Sequence, residues 1–510
     1  PRMREREHWG VLTIGTGHVK QIVGVVTLDR LQSVGSHHAV NVFLAANVVL
    51  AAGGPGELYK TSVYPAGQVG LHGLAFKAGL VAENLTESQF GLASTKFRWN
   101  VSGTYMQAIP RIFSANAEGK DERDFLADFF PTMKSMATNI FLKGYQWPFD
   151  PQKIEGLKSS LIDVLVFNET RKGRRVFLDF RRNPMGNKGM SPFNLDELEP
   201  EAFHYLRNAG ALQHTPIERL AHMNPPAIEI YKENGIDLHN EPLEIAVCAQ
   251  HNNGGFAVNT WWESSIKHTF VIGEMAGTHG VKRPGGSALN AGQVGGLRAA
   301  EYIVNAYGCE VPDYARDAES IDVQIAELLA TFESWSHSSG RSPHAILEQV
   351  QERMTTSAAH IRREKDAQES FRDALLLYRE IQEKGLAVKE PRSLIAAIQA
   401  EHLALSSVAY LKALIDLLTL GGGSRGSYLV LSEHGIPIHP DVLDPTGKPV
   451  AFKPENQELR HKILRIQYDE ASPDLFQSRV VACRTVPNER KSFEPAWQDY
   501  REGKIYEKKV

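Results

Sequence analysis

A glycine-rich loop between a strand and a helix constrains the fold of this chain more than any other segment. The apolar residues 269–273 are typical of a short buried strand, and residues 285–304 are typical of a loop that enters a helix. This order indicates an α/β unit. The first turn of such a helix offers backbone N–H groups and the positive end of the helix dipole, so the loop suits an anionic or dipolar ligand.

Length and charge limit the classes of protein to consider. The chain has 510 residues, 42% of them hydrophobic, which is too long for one compact core. The formal net charge is −4, from 56 basic and 60 acidic residues, and this balance argues against nucleic-acid binding. We find no run of about 20 apolar residues and therefore expect no membrane span.

The chain contains three cysteines, Cys248, Cys309 and Cys483. Their spacing predicts neither a disulfide framework nor a CxxC metal or cluster site. A reducing, cytoplasmic location is therefore expected.

Shifts in composition divide the chain into parts. In residues 1–96, the apolar runs 21–28 and 40–50 are interpreted as strands buried on both faces, as in parallel sheets. Residues 97–245 are aromatic, charged and interrupted by Pro and Gly, and we interpret them as an inserted α+β domain. Residues 246–308 return to the α/β pattern.

The remaining residues predict helices and a polar extension. Residues 309–425 contain three amphipathic apolar patterns and predict a three-helix bundle, which ends at glycines 421–423. The basic residues scattered over 359–380 are interpreted as a solvated helix face. Residues 426–510 form a C-terminal extension with few clear elements.

Residues 11–17 imitate the start of a dinucleotide-binding fingerprint, G-x-G-x-x-G. The third glycine position is Lys20, and a strand-like segment follows where the fingerprint needs a helix to hold the pyrophosphate. We therefore predict a β-hairpin turn here and no fingerprint within the chain. Since the sequence opens on Pro1, we interpret it as N-terminally incomplete.

Three side chains carry candidate chemistry. His251 lies just before Gly254 and Gly255, where a backbone can approach a ligand closely. Glu274, at the end of the strand, can accept hydrogen bonds from ribose hydroxyls. Arg283 can bind a carboxylate through two parallel hydrogen bonds. His279 in the same loop either takes part or caps a backbone carbonyl.

This pattern resembles the succinate dehydrogenase/fumarate reductase flavoprotein family, which includes L-aspartate oxidase. That family has His-x-x-Gly-Gly, then Gly-Glu, then His-Gly-x-x-Arg-x-Gly-Gly-x-x-Leu. The positions that match in order and spacing are His251, Gly254, Gly255, Gly273, Glu274, His279, Gly280, Arg283, Gly285, Gly286 and Leu289. Residues 48–54, the segment of Glu87, Gln89 and Phe90, and residues 424–426 match other parts of the family pattern.

The resemblance implies an α/β FAD-binding (Rossmann-like) domain with an inserted α+β capping domain and a C-terminal helical bundle domain. It implies FAD as the cofactor, with Glu274 at the ribose. It also implies that His251 and Arg283 hold a substrate carboxylate beside the flavin, and that Arg111 of the capping region donates a proton. The other residues that would line the cofactor are Ala52, Gly53, Gly54, Ser287, Ala288 and Leu289. Without a fingerprint, the chain alone is expected to bind FAD poorly.

Some positions depart from the family pattern. The family's His-Pro-Thr reads Gly91-Leu92-Ala93, and Asn252 and Asn253 follow His251. These changes argue against C4 dicarboxylates as substrates, although not against the reaction class.

We therefore expect an FAD-dependent oxidoreductase that transfers a hydride between flavin N5 and a carboxylate-bearing small molecule, succinate-, fumarate- or amino-acid-like. An iron–sulfur or other electron-transfer subunit is a candidate partner. The alternatives are a non-catalytic flavoprotein-like subunit that acts in assembly or binding, and an adenylylsulfate-reductase-like enzyme.

Overall fold

The computed structural model describes residues 6–15, 20–29, 40–187, 189–308, 311–389, 391–443, 447–485 and 492–507. The strands are β1 (Arg6–Ile14), β2 (Gln21–Asp29), β3 (Val40–Leu44), β4 (Val48–Leu50), β5 (Ala82–Glu83), β6 (Ser88–Ser94), β7 (Trp99–Asn100), β8 (Arg111–Ala115), β9 (Arg175–Asp179), β10 (Leu243–Asn252), β11 (Gly255–Phe256), β12 (Thr269–Val271), β13 (Ile361–Arg362), β14 (Leu429–Pro437), β15 (Ala451–Lys453), β16 (Lys462–Tyr468) and β17 (Phe476–Ala482). The helices are α1 (His72–Lys77), α2 (Thr104–Gln107), α3 (Met133–Leu142), α4 (Leu161–Arg171), α5 (Pro200–Asn208), α6 (Pro216–Met223), α7 (Pro226–Glu233), α8 (Ser287–Tyr302), α9 (Ala318–Ser336), α10 (Pro343–Ser357), α11 (Glu364–Lys384), α12 (Pro391–Thr419), α13 (Phe493–Arg501) and α14 (Lys504–Glu507).

The first three strands form an antiparallel sheet in the order β1-β2-β3. Because β1 is followed by a strand and not by a helix, the predicted hairpin is confirmed, although its turn at 16–19 lies outside the described residues. The expectation that residues 21–28 pair in parallel is wrong. The sheet is covered by α9, whose Leu328 packs against Gly10, so β2 is buried although both strands that pair along its length are antiparallel.

The apolar run 40–50 contains two strands rather than one. β3 ends at Leu44, and β4 begins at Val48 and pairs in parallel with β12. The carboxyl ends of these two strands meet at one edge. The glycine turn after β4 and the Gly273–Glu274 segment after β12 are thus brought side by side, although more than 200 residues separate them in the chain.

A five-stranded sheet has the order β7-β6-β10-β9-β8. The strands of the inserted segment, β7, β8 and β9, belong to this sheet, and helix α4 packs against β9 and β10. β6 and most of β10 also belong to this sheet, although they lie outside the limits 97 and 245 suggested by composition. The antiparallel pair of β6 and β10 therefore joins the inserted segment to the rest of the protein.

Four helices, not three, occupy the described residues between 318 and 419. α10, α11 and α12 pack against one another, whereas α9 lies on β1, where Gln324 exchanges two hydrogen bonds with the backbone of Thr13 at 3.0 and 2.8 Å. The polar sequence of α10 hid it from the apolar pattern. Its N-terminus is nevertheless marked by Ser342, whose hydroxyl accepts from the backbone N–H of Ala345 at 3.2 Å.

The expectation that no segment is long and apolar enough to span a membrane is wrong for one helix. Ser393–Thr419 is long and apolar enough to cross a membrane by length and composition, and 83% of its most apolar window is buried inside the protein. This helix, α12, lies in the middle of the helical core, between α10, α11 and α1. Its central position explains why apolar residues are not confined to one side of it.

The C-terminal extension contains more structure than its composition indicates. β16 and β17 pair antiparallel, and β16 also pairs with β5, so that the four-stranded sheet has the order β11-β5-β16-β17. The side chains of β16 alternate between exposed or half-buried and buried positions, as expected for a strand with one face on the core.

Candidate functional site

His251 lies near the end of β10, directly opposite Gln89 on β6. Opposite residues of antiparallel strands point to the same face of the sheet. Beyond β10 the backbone passes very close to other segments: a Cβ at Gly254 would lie 2.0 Å from the carbonyl oxygen of Asn84, and one at Gly255 would lie 2.2 Å from that of Met275. Only glycine fits at both positions, which explains the two glycines after the histidine.

The guanidinium of Arg283 is held by a neutral amide. Its Nε and Nη2 donate to Oε1 of Gln89 at 3.1 and 2.7 Å, and Nε2 of Gln89 donates back to the carbonyl oxygen of Arg283 at 3.1 Å. Nη1 donates to the carbonyl oxygen of Pro284 at 3.3 Å. Among the described residues, no carboxylate lies within 4.0 Å of this guanidinium. Two of its five N–H donors remain for a ligand.

The imidazole of His251 is buried, and its Nδ1 lies 3.0 Å from Oδ1 of Asn253. The ring of His279 packs against it edge to face, with 4.7 Å between ring centroids. Burial and the charge of Arg283 lower the pKa of His251 to about 4. Burial and its two neighbours His251 and Arg283 lower the pKa of His279 to about 4 as well. Both rings are therefore neutral at pH 7.

Each of these two histidines has a buried ring nitrogen that forms no hydrogen bond with any described group. The atom is Nε2 in both His251 and His279. Most buried polar atoms in proteins have a hydrogen-bond partner, so these two adjacent nitrogens beside Arg283 are able to form a hydrogen bond with a bound group.

Glu274 follows β12 and faces the turn after β4. Its Oε1 accepts from the hydroxyl of Tyr64 and, at 2.7 Å, from the backbone N–H of Asn252. A Cβ at Gly54 would lie 2.5 Å from this oxygen, so Gly54 is needed for the close approach. Burial raises the pKa of Glu274. The carboxyl group thus links the glycine turn to the end of β10.

The predicted cofactor-lining residues lie in two segments, the turn after β4 and the start of α8. Gly53 has a φ of 72°, which favours glycine, and α8 begins at Ser287 after Gly286, whose φ is 77°. The residue before the helix, Gly286, has no side chain that could cap the first N–H groups of α8, and the hydroxyl of Ser287 donates to the carbonyl oxygen of Pro284 at 2.8 Å. Ala52, Gly53, Ser287 and Ala288 are half-buried, Gly54 is buried, and Leu289 is 80% exposed.

A buried ion pair lies behind the histidines. Arg425 donates from Nε and Nη2 to Oε1 of Glu87 at 3.0 and 2.7 Å, and the carbonyl oxygen of Glu87 accepts from the backbone N–H groups of Asn253 and Gly254. Arg362 lies over the ring of Tyr428 at 3.8 Å and is buried. The interpretation of all basic residues in 359–380 as solvated is therefore wrong for Arg362, which β13 carries into the interior.

Arg111 does not join this group. Its guanidinium binds both carboxylate oxygens of Asp124, at 2.6 and 2.8 Å, and Oε2 of Glu122 at 2.7 Å. Although burial opposes the charged form, these hydrogen bonds raise the pKa of Arg111. Arg111 lies opposite Asp179 on β9, and β9 pairs with the first residues of β10. His251 lies near the other end of β10, roughly 25 Å farther along this strand. The structure thus places Arg111 apart from His251 and Arg283.

Sequence reasoning missed the residues that orient the candidate groups. The sequence does not single out Tyr64, and it presents Gln89 and Asn253 only as positions that match or depart from the family pattern. The β6–β10 register, with His251 opposite Gln89, is the signal that could have paired them. No local pattern indicates that Tyr64 reaches Glu274, 210 residues away.

Comparisons with known proteins find relatives among flavin-dependent oxidoreductases. No family model matches the chain. One component of the fumarate reductase (CoM/CoB) of Methanothermobacter marburgensis is 35% identical over 89 residues, which are 17% of this chain and 16% of that protein. L-aspartate oxidase of Bacillus subtilis is 25% identical over 300 residues, 58% of this chain and 44% of that protein. The fumarate reductase flavoprotein subunit of Proteus vulgaris is 30% identical over 120 residues, 23% of this chain and 20% of that protein.

Solved structures share the fold across nearly the whole chain. Quinol fumarate reductase of Escherichia coli superposes with a TM-score of 0.62 and 17% identity, over 95% of this chain and 72% of that one. Adenylylsulfate reductase of Archaeoglobus fulgidus gives a TM-score of 0.56 and 15% identity, over 96% and 73% of the two chains. The chain spans less than half the length of the curated relatives it matches. It is a homologue of fumarate reductase flavoprotein subunits and of L-aspartate oxidase, as the resemblance to the succinate dehydrogenase/fumarate reductase flavoprotein family predicts.

Proposed function

We propose that this protein is an FAD-dependent oxidoreductase that acts on a small molecule bearing a carboxylate. The observation that carries the proposal is Arg283, a guanidinium held by the amide of Gln89 and not by an acid among the described residues, next to the neutral pair His251 and His279. A cation with free donors in a partly dry site favours an anionic ligand. A carboxylate matches the two donors that remain on Nη1 and Nη2.

The described residues fit one side of an FAD molecule. Oε1 of Glu274 is engaged by Tyr64 and Asn252, which leaves its other oxygen to accept from a hydroxyl of the nucleotide. A Cβ at Gly285 or Gly286 would meet nothing within 4 Å, so there is open space before α8. We propose that Glu274, the turn of Ala52, Gly53 and Gly54, and the α8 start of Ser287, Ala288 and Leu289 hold the cofactor. When bound, the flavin supplies the hydride-exchanging atom N5.

The residues of this chain then bind, orient and exclude water. Arg283 would take the substrate carboxylate, and Gln89 keeps the guanidinium in place from β6. The buried ring of His251 and the half-buried ring of His279 keep water from this side of the site and add no charge at neutral pH. Arg111 would have to break hydrogen bonds to Asp124 and Glu122 to move a proton here, so we assign it no role.

Flavin binding is the first test. The purified full-length protein should show flavin absorbance, and Glu274→Ala should weaken FAD affinity by at least about tenfold, since hydrogen bonds to a charged group are strong. Glu118→Ala, in an exposed turn, is the matched control and should bind FAD like the wild type. A folded, colourless full-length protein that takes up no added FAD would contradict the proposal.

Turnover tests the substrate class. We propose that C4 dicarboxylates are poor substrates, because the His-Pro-Thr of the family pattern is replaced by Gly91-Leu92-Ala93 on β6. Rapid turnover of succinate, fumarate or L-aspartate would overturn this part of the proposal. Reaction with adenylylsulfate tests the alternative that the shared fold with adenylylsulfate reductase supports.

The protein's partners and location belong to the same proposal. We propose that an iron–sulfur or other electron-transfer subunit exchanges electrons with it, in a reducing, cytoplasmic location. The second candidate function is a non-catalytic subunit, which the reciprocal hydrogen bonds between Gln89 and Arg283 favour, because they hold the guanidinium in place without a substrate. Reduction of the bound flavin by a carboxylate-bearing compound distinguishes the two.

A further inference from the structure

The side-chain amide of Asn253 has only one orientation that satisfies its neighbours. Asn253 is fully buried, and one end of its amide lies 3.2 Å from the carbonyl oxygen of Val281. A carbonyl oxygen only accepts hydrogen bonds, so this end must be the NH₂ group. The other end, the oxygen Oδ1, therefore faces Nδ1 of His251 at 3.0 Å.

This orientation decides which nitrogen of His251 carries the proton. A neutral imidazole has one N–H and one lone pair. Since Oδ1 of Asn253 can only accept, Nδ1 of His251 must be the donor. Nε2 then carries the lone pair, and this atom is the one that is buried without a partner among the described residues.

A bare lone pair at Nε2 selects the group that can lie against it. A carboxylate oxygen also presents lone pairs and is repelled, whereas a hydroxyl or an N–H can donate to it. The charged groups that act on His251 and its neighbour His279 are Arg283 and, on His279, Glu274. A ligand ammonium group would lie close to the cation of Arg283, so a neutral hydroxyl is the better donor.

We propose that the substrate is a hydroxycarboxylate, whose carboxylate binds Arg283 and whose hydroxyl donates to Nε2 of His251, with Asn253 as the positioning residue that sets the histidine tautomer. This inference rests on the proposed function and names the substrate class of the same site. His251 thus serves as a hydrogen-bond acceptor for a hydroxyl, in place of the carboxylate contact that the family resemblance implies.

Nitrogen-15 NMR of histidine tests the tautomer directly. In full-length protein labelled with ¹⁵N-histidine and loaded with FAD, the His251 signals are assigned by their loss in His251→Gln. Between pH 6 and 8 we expect Nδ1 at a protonated shift and Nε2 at a non-protonated shift. Asn253→Leu should give a mixture of the two tautomers. A protonated Nε2 in the wild type would overturn the proposal. The NMR measurement can be read even if no FAD binds, so it separates this inference from the proposed function.

Ligand pairs test the selectivity. L-Lactate is compared with propionate, and 2-hydroxybutyrate with butyrate, by calorimetry on the FAD-loaded protein. The hydroxyl-bearing member should bind about tenfold more tightly, the effect of one added hydrogen bond, and Asn253→Leu should reduce this ratio to about twofold. Equal affinity of the members, or no binding of either, would overturn the proposal.

The matched control is Asn183→Leu. The amide of Asn183 also donates to a backbone carbonyl, that of His214, and accepts from a side chain, that of Arg219, but it lies in the capping segment. This variant should keep the wild-type tautomer and ligand ratio. A change in Asn183→Leu as large as that in Asn253→Leu would show a general structural effect and would contradict the positioning role.

Discussion

Glu87 and Arg425 form an ion pair whose side chains are 0% and 8% exposed, with two hydrogen bonds from the guanidinium to one carboxylate oxygen. The pair connects the segment before β6 to the loop after α12, 338 residues apart in the chain. The backbone carbonyl of Glu87 also accepts from the two N–H groups that follow Asn252. The helical part of the chain therefore supports the end of β10 that carries His251.

Removing one partner of this pair should be costly. Arg425→Met leaves the carboxylate of Glu87 buried without its cation and should lower the free energy of unfolding by about 3–5 kcal/mol. The double variant Arg425→Met/Glu87→Gln removes the buried charge and should recover part of the loss. Urea unfolding followed by circular dichroism measures both. Equal stability of Arg425→Met and wild type would contradict a structural role for the pair.

Carboxylate binding should depend on the shape of the cation at position 283. Arg283→Lys keeps the charge but loses the fork of donors, and it should weaken binding of a carboxylate ligand by about 10- to 100-fold, as expected for one or two charge-assisted hydrogen bonds. Calorimetry with the FAD-loaded protein gives the affinities. Lys282→Gln, which changes the neighbouring exposed cation paired with Asp150, is the control and should change the affinity less than threefold, roughly the worth of a surface ion pair.

Acid should destabilise the protein partly through His251. Its pKa is about 4 in the folded protein against 6.5 when unfolded, because burial disfavours the charged ring. The unfolded chain therefore binds more protons between these values, and stability is fully present above pH 6.5 and is lost as the pH falls towards 4. The loss from this one residue reaches about 3 kcal/mol.

Thermal or urea unfolding at pH 7, 5.5 and 4.5 checks this expectation against His251→Gln, which cannot titrate. The buried histidines His72, His360 and His402, whose pKa values are also lowered by burial, are present in both proteins and cancel in the comparison. Parallel pH profiles of the two proteins would show that His251 does not contribute.

The close backbone approach at Gly254 gives a further prediction. A Cβ there would meet the carbonyl oxygen of Asn84 at 2.0 Å, so Gly254→Ala should shift the backbone and cost about 1–3 kcal/mol of stability or more. At Gly285 a Cβ would meet nothing within 4 Å, and Gly285→Ala should change stability by less than about 0.5 kcal/mol. The melting temperatures of the two variants are compared with that of the wild type. A similar loss of stability in both variants would contradict the close contact at Gly254.

The sequence alone predicted the elements whose signals are local. The strand β12, the glycine loop and the helix α8 lie where the apolar run and the glycines indicated, since strand pattern and turn residues act over a few positions. The hairpin of β1 and β2 was recognisable for the same reason. Two elements were missed: α10, whose apolar pattern is weak although Ser342 marks its start, and β16, a short strand in a polar extension that is held by pairing with β5 and β17.

The choice of candidate residues came from the sequence, but their partners came from the tertiary structure. Residue types and spacing singled out His251, Glu274 and Arg283, because each needs a particular chemistry at a particular place. That Arg283 binds Gln89, 194 residues away, and that Asn253 reaches Val281 to fix the tautomer of His251, depends on strand register and loop packing. Arg111 shows the converse, since the sheet places it beside Asp124 and Glu122, far from the site. Local sequence thus determines which groups are present, whereas hydrogen bonds between distant segments determine which nitrogen or oxygen each one offers to a ligand.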